Sequence, residues 1–161
     1  MLLLQIKKLS FSQRPIPIPA EYRPMYKIGL LVLILKLCCR GDRSNLLKLH
    51  LFSWALTSEK NMQKLRDYIN SNFQTEMSVW GIEPALNRGL QLAVADGICE
   101  IIDGKSYKLT EKGLKFYEII NEDIDLFSIE KSFLSFIGKS KITDTRINAM
   151  TKQWNLFYVE N

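Results

Sequence analysis

The chain has 161 residues, of which 47% are hydrophobic and 24% are charged, and its formal net charge is +5. This length suits one domain, or one small domain with extended ends, and the composition does not indicate disorder. The basic excess belongs to residues 1–50, which hold nine basic and two acidic residues, whereas residues 51–161 hold 13 basic and 15 acidic residues. This asymmetry indicates nucleic acid or an acidic protein as a partner, although a solvated basic face explains it equally well.

The cysteines and the apolar segments indicate the compartment. Cys38 and Cys39 are adjacent, which rarely permits a disulfide, so with Cys99 they favour reduced thiols in a cytoplasmic protein. The first residues place their apolar run before their lysines and lack a small-residue cleavage site, so we expect no signal peptide. Residues 28–35 are strongly apolar, but basic residues end that run far short of a membrane span. We therefore expect a cytoplasmic protein without a membrane partner.

Three segments are expected along the chain. Residues 1–24 form an apolar strand or arm and a stiff connector with alternating prolines. Residues 25–122 form a helical and winged-helix core, which begins with a helix at 26–39 that is apolar nearly all round. Gly41 suits a C-cap, and Ser44 suits the N-cap of the next helix, at 45–56. Residues 123–161 form C-terminal helices and an apolar tail.

A third helix is predicted at 60–73, where Met62, Leu65, Tyr68 and Ile69 make one buried stripe. A loop at 74–81 follows. After it, residues 80–116 have the pattern of helix, β-hairpin and helix. A helix opens at Glu83-Pro84 and runs to residue 93, and strands at 98–102 and 106–109 flank the turn Asp103-Gly104.

Thr110 is expected to cap a helix that runs to about residue 120. The fold class is therefore mainly α with a small β-hairpin, a winged-helix domain with an N-terminal helical extension. Further helices are predicted at 128–137 and from an Asp144 cap to residue 154. The tail at 154–159 is too apolar for a free end, so it packs on the body, pairs with the N-terminal strand or binds a partner.

No enzymatic signature is present. The single histidine, His50, lies between leucines on an apolar helix, where a structural role is the ordinary one. A zinc site from His50 and the three cysteines would lack any C-x₂-C spacing. Phosphate-loop, dinucleotide and zinc-deaminase motifs do not occur in the sequence. We expect a protein that is not an enzyme and holds no cofactor and no metal.

The winged helix does not resemble a DNA reader. Its helix offers only Asn87, Arg88 and Gln91 to base edges and phosphates, and the wing lysines Lys105 and Lys108 are offset by two carboxylates. The best candidates for phosphate or acidic-partner contact are Arg40, Arg43 and Lys48, followed by Arg88 and Lys105. The alternative for Arg40 and Arg43 is a structural one. Arg40 is then a favourable cation at the C-terminus of a helix, and Arg43 is a solvated charge in the loop. Candidate protein contacts are Tyr22, Arg23, Trp80, Trp154, Phe157 and Tyr158.

Four short runs carry a family resemblance: PIPAEYRP at 17–24, IGLLVLILKL at 28–37, LHLFSWAL at 49–56 and EPALNRGL at 83–90. With them, residues 15–120 resemble the middle components of bacterial ABC three-component systems. In particular they are similar to the small accessory subunit of Lamassu anti-phage defence systems. The resemblance implies a winged-helix subunit that works beside an SMC-like ATPase and a nuclease-type effector. It carries no catalytic residues to this chain.

Two functions follow as expectations. The first is a non-enzymatic adaptor that bridges the ATPase and the effector and aids nonspecific engagement of double-stranded DNA. The second is a winged-helix transcriptional regulator that recognises a DNA sequence. The helix predicted at 83–93 offers few side chains that could read DNA, which favours the first function.

Overall fold

The computed structural model of the protein describes residues 9–11, 23–75, 77 and 83–159, with side chains as far as residue 152. The fold of this part is mainly helical, with a small antiparallel sheet. The helices are α1 (Pro24–Cys38), α2 (Leu46–Ala55), α3 (Glu59–Asn70), α4 (Pro84–Ala95), α5 (Glu111–Glu122), α6 (Ser128–Ile137) and α7 (Asp144–Val159). The strands are β1 (Arg43–Asn45), β2 (Cys99–Ile102) and β3 (Ser106–Leu109), and a 3-10 turn, Arg40–Asp42, joins α1 to β1.

Helix α1 is the centre of the hydrophobic core, as its apolar sequence predicts. Residues 27–35 are all buried, and the helix packs against α2, α4, α5 and α6. Pro24 occupies the first turn, where its missing N–H costs no hydrogen bond. Helix α6 buries Phe133, Leu134 and Ile137 in the same core, so residues beyond 122 share the interior of the helical unit.

The hairpin and the helix after it form as predicted because their turn and cap chemistry is local. Asp103 and Gly104 both have positive φ, 53° and 66°, which is the backbone of a tight hairpin turn. Thr110 Oγ1 accepts a hydrogen bond from the Gly113 N–H at 3.1 Å and so caps α5. Of the predicted stripe of α3, Met62, Leu65 and Tyr68 are buried and Ile69 is half-buried, and the helix ends at Asn70 rather than at residue 73.

The sheet has a third strand that the sequence did not predict. Strand β1 pairs antiparallel with β3, with Ser44 opposite Tyr107, and the strand order is β1-β3-β2. The prediction that Ser44 caps α2 is wrong. Ser44 lies within β1, and Asn45 Oδ1 accepts from the Lys48 N–H at 2.9 Å. A strand of three residues is too short to leave an alternating pattern in the sequence.

The C-terminal helix also differs from its prediction. Thr143 Oγ1, and not the Asp144 carboxylate, accepts the Arg146 N–H at 3.2 Å. Helix α7 runs to Val159, past the expected end at residue 154, since the intervening sequence holds no glycine or proline to stop it. Phe11 packs against the rings of Tyr26 and Phe127, at centroid distances of 5.6 and 5.4 Å.

The described end of the N-terminal arm therefore lies on the body of the protein. Residues 1–8 and 12–22 of the predicted arm and connector, and residues 76 and 78–82 around Trp80, fall outside the described residues. Among the described helices, none combines the length and the apolar character needed to cross a bilayer.

Candidate anion-binding site

A surface pocket of about 280 Å³ lies where β1, the start of α2, the start of β3 and the start of α7 meet. Its lining residues are Arg40, Arg43, Ser44, Asn45, Lys48, Ser106, Lys139, Thr143 and Asp144. Four of these side chains are basic and one is acidic. The three cations that the sequence singled out on residues 40–48 are thus brought to one place, and Lys139 joins them.

Local backbone geometry sets the positions of the first three cations. Gly41 has φ 65° and Asp42 has φ 55°, so the chain turns sharply after α1 and presents Arg40 at the surface. The chain then extends through β1, which carries Arg43. The Asn45 cap places Lys48 in the first turn of α2, where its backbone N–H is already bonded.

The partners of the four cations differ. Lys139 Nζ lies 3.5 Å from an Asp42 carboxylate oxygen, and the same carboxylate is shared with Lys36 at 3.4 Å. The side chains of Arg40 and Arg43 are exposed and form no ion pair with any described residue. Lys48 is the unusual member: only 4% of its surface is exposed, yet its ammonium makes no hydrogen bond or ion pair within the described chain.

The neighbouring cysteines do not supply the charge that Lys48 lacks. Burial raises the pKa of Cys39 to about 11, although Lys48 and Ser44 act in the opposite direction. Burial also raises the pKa of Cys38, and it raises that of Cys99 to about 12. All three are buried free thiols that remain protonated at neutral pH.

The pocket is therefore suited to an anion from solution. Helices α2 and α7 both begin at its wall, and the first N–H groups of a helix lack partners within it. Arginine guanidinium groups bind phosphate and carboxylate oxygens in pairs, and a lysine supplies a compact point charge. The hydroxyl groups of Ser44, Ser106 and Thr143 add hydrogen-bond donors to this basic lining.

A second polar cluster, here called the buried network, joins α1, α2 and the start of α4. Lys27 Nζ lies 2.7 Å from Glu83 Oε1 and 3.4 Å from Ser53 Oγ, and Ser53 Oγ donates to Glu83 Oε2 at 2.6 Å. His50 Nδ1 accepts the Glu83 N–H at 3.2 Å, which leaves Nε2 to donate to Asn87 Oδ1 at 3.1 Å. Both ring nitrogens of His50 are thus satisfied, as a structural histidine requires.

Burial lowers the pKa of His50 below its usual value of 6.5, while Asn87 and Glu83 act to raise it. The ring consequently stays neutral at physiological pH. Its role is to hold the first turn of α4 against α2.

The other candidate residues of the sequence lie apart from the pocket. Arg88 is exposed on α4 and Lys105 is exposed in the hairpin turn. Arg23 precedes α1 without a side-chain capping bond. Tyr22 and Trp80 are outside the described residues, and Trp154, Phe157 and Tyr158 belong to the end of α7, beyond the described side chains.

Two sets of residues in these clusters were not predicted from the sequence. Lys139 follows α6, which packs on α1 with the Cys38 thiol 3.3 Å from the Leu134 carbonyl oxygen, and Asp144 begins α7, which packs on α2. Because both residues are far from Arg40 along the chain, no local sequence pattern predicts that they share its pocket. Lys27 did leave a local signal, since a single charge inside an apolar helix requires a buried partner.

Within the described part of the chain, no three histidine, cysteine or acidic side chains come together as metal ligands. Comparison with models of protein families, with curated proteins and with solved structures gave no match for the chain. The likeness to accessory subunits of SMC-like defence complexes therefore stays a prediction from the sequence.

Proposed function

We propose that this chain is a non-enzymatic accessory subunit of an SMC-like ATPase complex in anti-phage defence. In this role it docks on its partner through a winged-helix unit and holds double-stranded DNA without reading its sequence. The partners, an SMC-like ATPase and a nuclease-type effector, come from the resemblance of residues 15–120. The division of labour between docking and DNA contact comes from the positions of the side chains.

The order of the elements supports the winged-helix assignment. In that fold a three-helix unit ends in a hairpin, and a short strand between the first two helices completes the sheet. Here β1 follows α1, and the hairpin β2–β3 follows α4, with β3 in the middle of the sheet. Helix α4 would be the recognition helix, and α3 is an additional helix before it.

One observation carries the docking role: α4 presents few side chains that could read DNA. Asn87, one of its three candidate reading residues, is half-buried and takes its hydrogen bond from His50 inside the protein. The remaining polar candidates are Arg88 and Gln91. A single arginine anchors one phosphate, which contributes little at physiological salt.

The wing adds no compensating charge. Lys108 on β3 lies opposite Glu100 on β2, so this cross-strand pair is neutral. The exposed apolar side chains nearby, Leu92 on α4 and Ile101 on β2, are 39% and 51% exposed. A neutral surface with exposed apolar side chains is better suited to a protein partner than to a phosphate backbone.

Co-expression with the proposed SMC-like ATPase partner tests the docking role. We expect the two proteins to co-purify through size exclusion and Leu92→Asp to reduce recovery of the complex at least fivefold. The matched control is Ile129→Asp, which places the same charge at a 63% exposed site on α6 and should leave recovery unchanged. A native chain that elutes alone beside the ATPase would contradict the proposal.

Binding to duplex DNA tests the second part of the proposal, the nonspecific contact with DNA. If Arg40, Arg43 and Lys48 each replace one counterion, the logarithm of affinity falls with that of salt at a slope of about −3. Charge reversal at Arg40 and Arg43 together should weaken binding at least tenfold and flatten this slope, while Arg88→Ala changes it less than twofold. The reverse ranking would return α4 to the role of DNA contact.

A transcriptional regulator is the second candidate, favoured by the winged-helix order of elements alone. It predicts tighter binding to one promoter fragment than to a shuffled duplex of the same length. Equal affinity for both duplexes eliminates it, and a preference above about tenfold replaces the adaptor proposal.

A further inference from the structure

The unpaired ammonium of Lys48 is the feature that the proposed function leaves unexplained. A charged side chain removed from water is costly unless an opposite charge or several hydrogen bonds compensate it. Lys48 has 4% of its surface exposed and lines the pocket, but no described residue provides that compensation. A basic group kept buried in this way is prepared for an anion that is not part of the chain.

We propose that the pocket is a built site for one phosphoryl group, with Lys48 as its buried anchor. The inference rests on the proposed function, because it names the chemistry by which the pocket would hold a DNA backbone. The phosphoryl group comes from a nucleic-acid phosphodiester or from a free nucleotide or phosphate ion. All of these present tetrahedral phosphoryl oxygens, with one negative charge on a phosphodiester and nearly two on a monoester.

The charge of the lining favours phosphate over a carboxylate. Arg40, Arg43, Lys48 and Lys139 line the pocket with one carboxylate, Asp144, so the lining carries a net positive charge of three, and Lys139 also pairs with Asp42 beside it. A side-chain carboxylate or a phosphodiester would neutralise one of these charges, whereas a phosphate monoester carries nearly two negative charges and matches the lining better.

Hydrogen-bond donors around the cations complete the site. The hydroxyl groups of Ser106 and Thr143 line the pocket, and the starts of α2 and α7 contribute helix-dipole charge to it. A volume of about 280 Å³ is near the lower limit for small-molecule sites. It admits a phosphate with its attached sugar and excludes larger folded groups.

If Lys48 anchors a phosphate, Lys48→Met should weaken phosphate binding without lowering the stability of the protein. Methionine fills similar space without charge, so the variant should be at least as stable as the native protein in phosphate-free buffer. The same variant should bind inorganic phosphate at least tenfold more weakly. A purely structural lysine would give the opposite pattern, with a loss of stability and no change in phosphate affinity.

The experiment titrates the full chain with inorganic phosphate and follows amide shifts by NMR, with thermal unfolding recorded in parallel. We expect saturable shifts at the starts of α2 and α7, competition by sulfate and none by chloride. Lys105→Met is the matched control, because it removes an exposed lysine outside the pocket and should leave the titration unchanged. Absence of saturable shifts in the native protein, or an unchanged affinity in Lys48→Met, overturns the inference.

Further arms identify the source of the phosphoryl group and separate this inference from the proposed function. Thymidine monophosphate that binds tightly beside a duplex that binds weakly would support the phosphate site and count against the DNA role. Duplex binding that survives Lys48→Met, with no phosphate titration, would overturn the site and leave the DNA role standing. Loss of ATPase binding in Lys48→Met without a phosphate response would assign the pocket to an acidic protein side chain, which also overturns it.

Discussion

The buried network provides the sharpest test of how this sequence holds α4 in place. Lys27 is 1% exposed at its side chain and lies 2.7 Å from Glu83, whose side chain is 19% exposed. Substituting Glu83→Gln removes the counter-charge but keeps the size of the side chain. The Gln amide must also turn its NH₂ group toward either the Lys27 ammonium or the Ser53 hydroxyl, both of which donate at present.

Removing one partner of a fully buried ion pair costs about 3–5 kcal/mol. Since Glu83 retains some contact with water and Gln still accepts one hydrogen bond, we expect a loss of about 2–3 kcal/mol in the free energy of unfolding. With a urea dependence of about 2 kcal/mol per molar, the midpoint of unfolding should fall by about 1 M. Urea titration followed by circular dichroism at 222 nm measures this shift.

Two further variants isolate the ion pair from general effects of the substitution. Glu118→Gln makes the same chemical change at an exposed position of α5 and should stay within about 0.5 kcal/mol of the native protein. Adding Lys27→Met to Glu83→Gln removes the stranded ammonium, so the double variant should recover part of the lost stability. If Glu83→Gln unfolds at the same urea concentration as Glu118→Gln, the reasoning about a buried pair is wrong.

Two other predictions follow from close packing and from titration. A Cβ at Gly113 would lie 2.2 Å from the Ile98 carbonyl oxygen, so Gly113→Ala should cost about 3 kcal/mol or prevent folding, whereas Lys115→Ala on the exposed side of α5 should leave the melting temperature nearly unchanged. Because the folded pKa of His50 is below its unfolded value, the folded state binds fewer protons, and stability should be complete above about pH 6.5 and fall as the pH drops below it. His50→Gln should remove that part of the pH dependence in urea titrations between pH 7.5 and 5, and an unchanged difference between the two pH values would assign it to other groups.

The elements that the sequence predicted well are those with local chemical signals. Thr110 caps α5 and the turn Asp103-Gly104 closes the hairpin because each depends on residues within a few positions of itself. Strand β1 was missed since its formation depends on β3, more than sixty residues later in the chain. Its residues, Arg43–Asn45, have no β-branched or alternating pattern.

The candidate site divides in the same way. Arg40, Arg43 and Lys48 lie within nine consecutive positions, so their clustering could be predicted from their spacing in the sequence. Lys139 enters the pocket through the packing of α6 on α1, which no local pattern encodes. The burial of Lys48 was also beyond sequence reasoning, because the first turn of a helix is ordinarily exposed to solvent.

Most basic side chains near the sheet lie away from α4, which is held in place mainly by apolar contacts and by the buried network. Four of its residues face the core, Leu86, Gly89, Leu90 and Ala93, and Gly89 lets it approach α1 so closely that a Cβ there would lie 3.1 Å from that of Lys27. The first turn is fixed by the buried network, which consumes Asn87. Its exposed residues are Pro84, Arg88, Gln91, Leu92 and Ala95, and among them only Arg88 is a cation. The positive groups lie instead around β1 and the first turn of α2, and no residue of α4 lines their pocket. The order of the elements therefore does not determine where the positive groups lie, because their position depends on the individual side chains around β1 and α2.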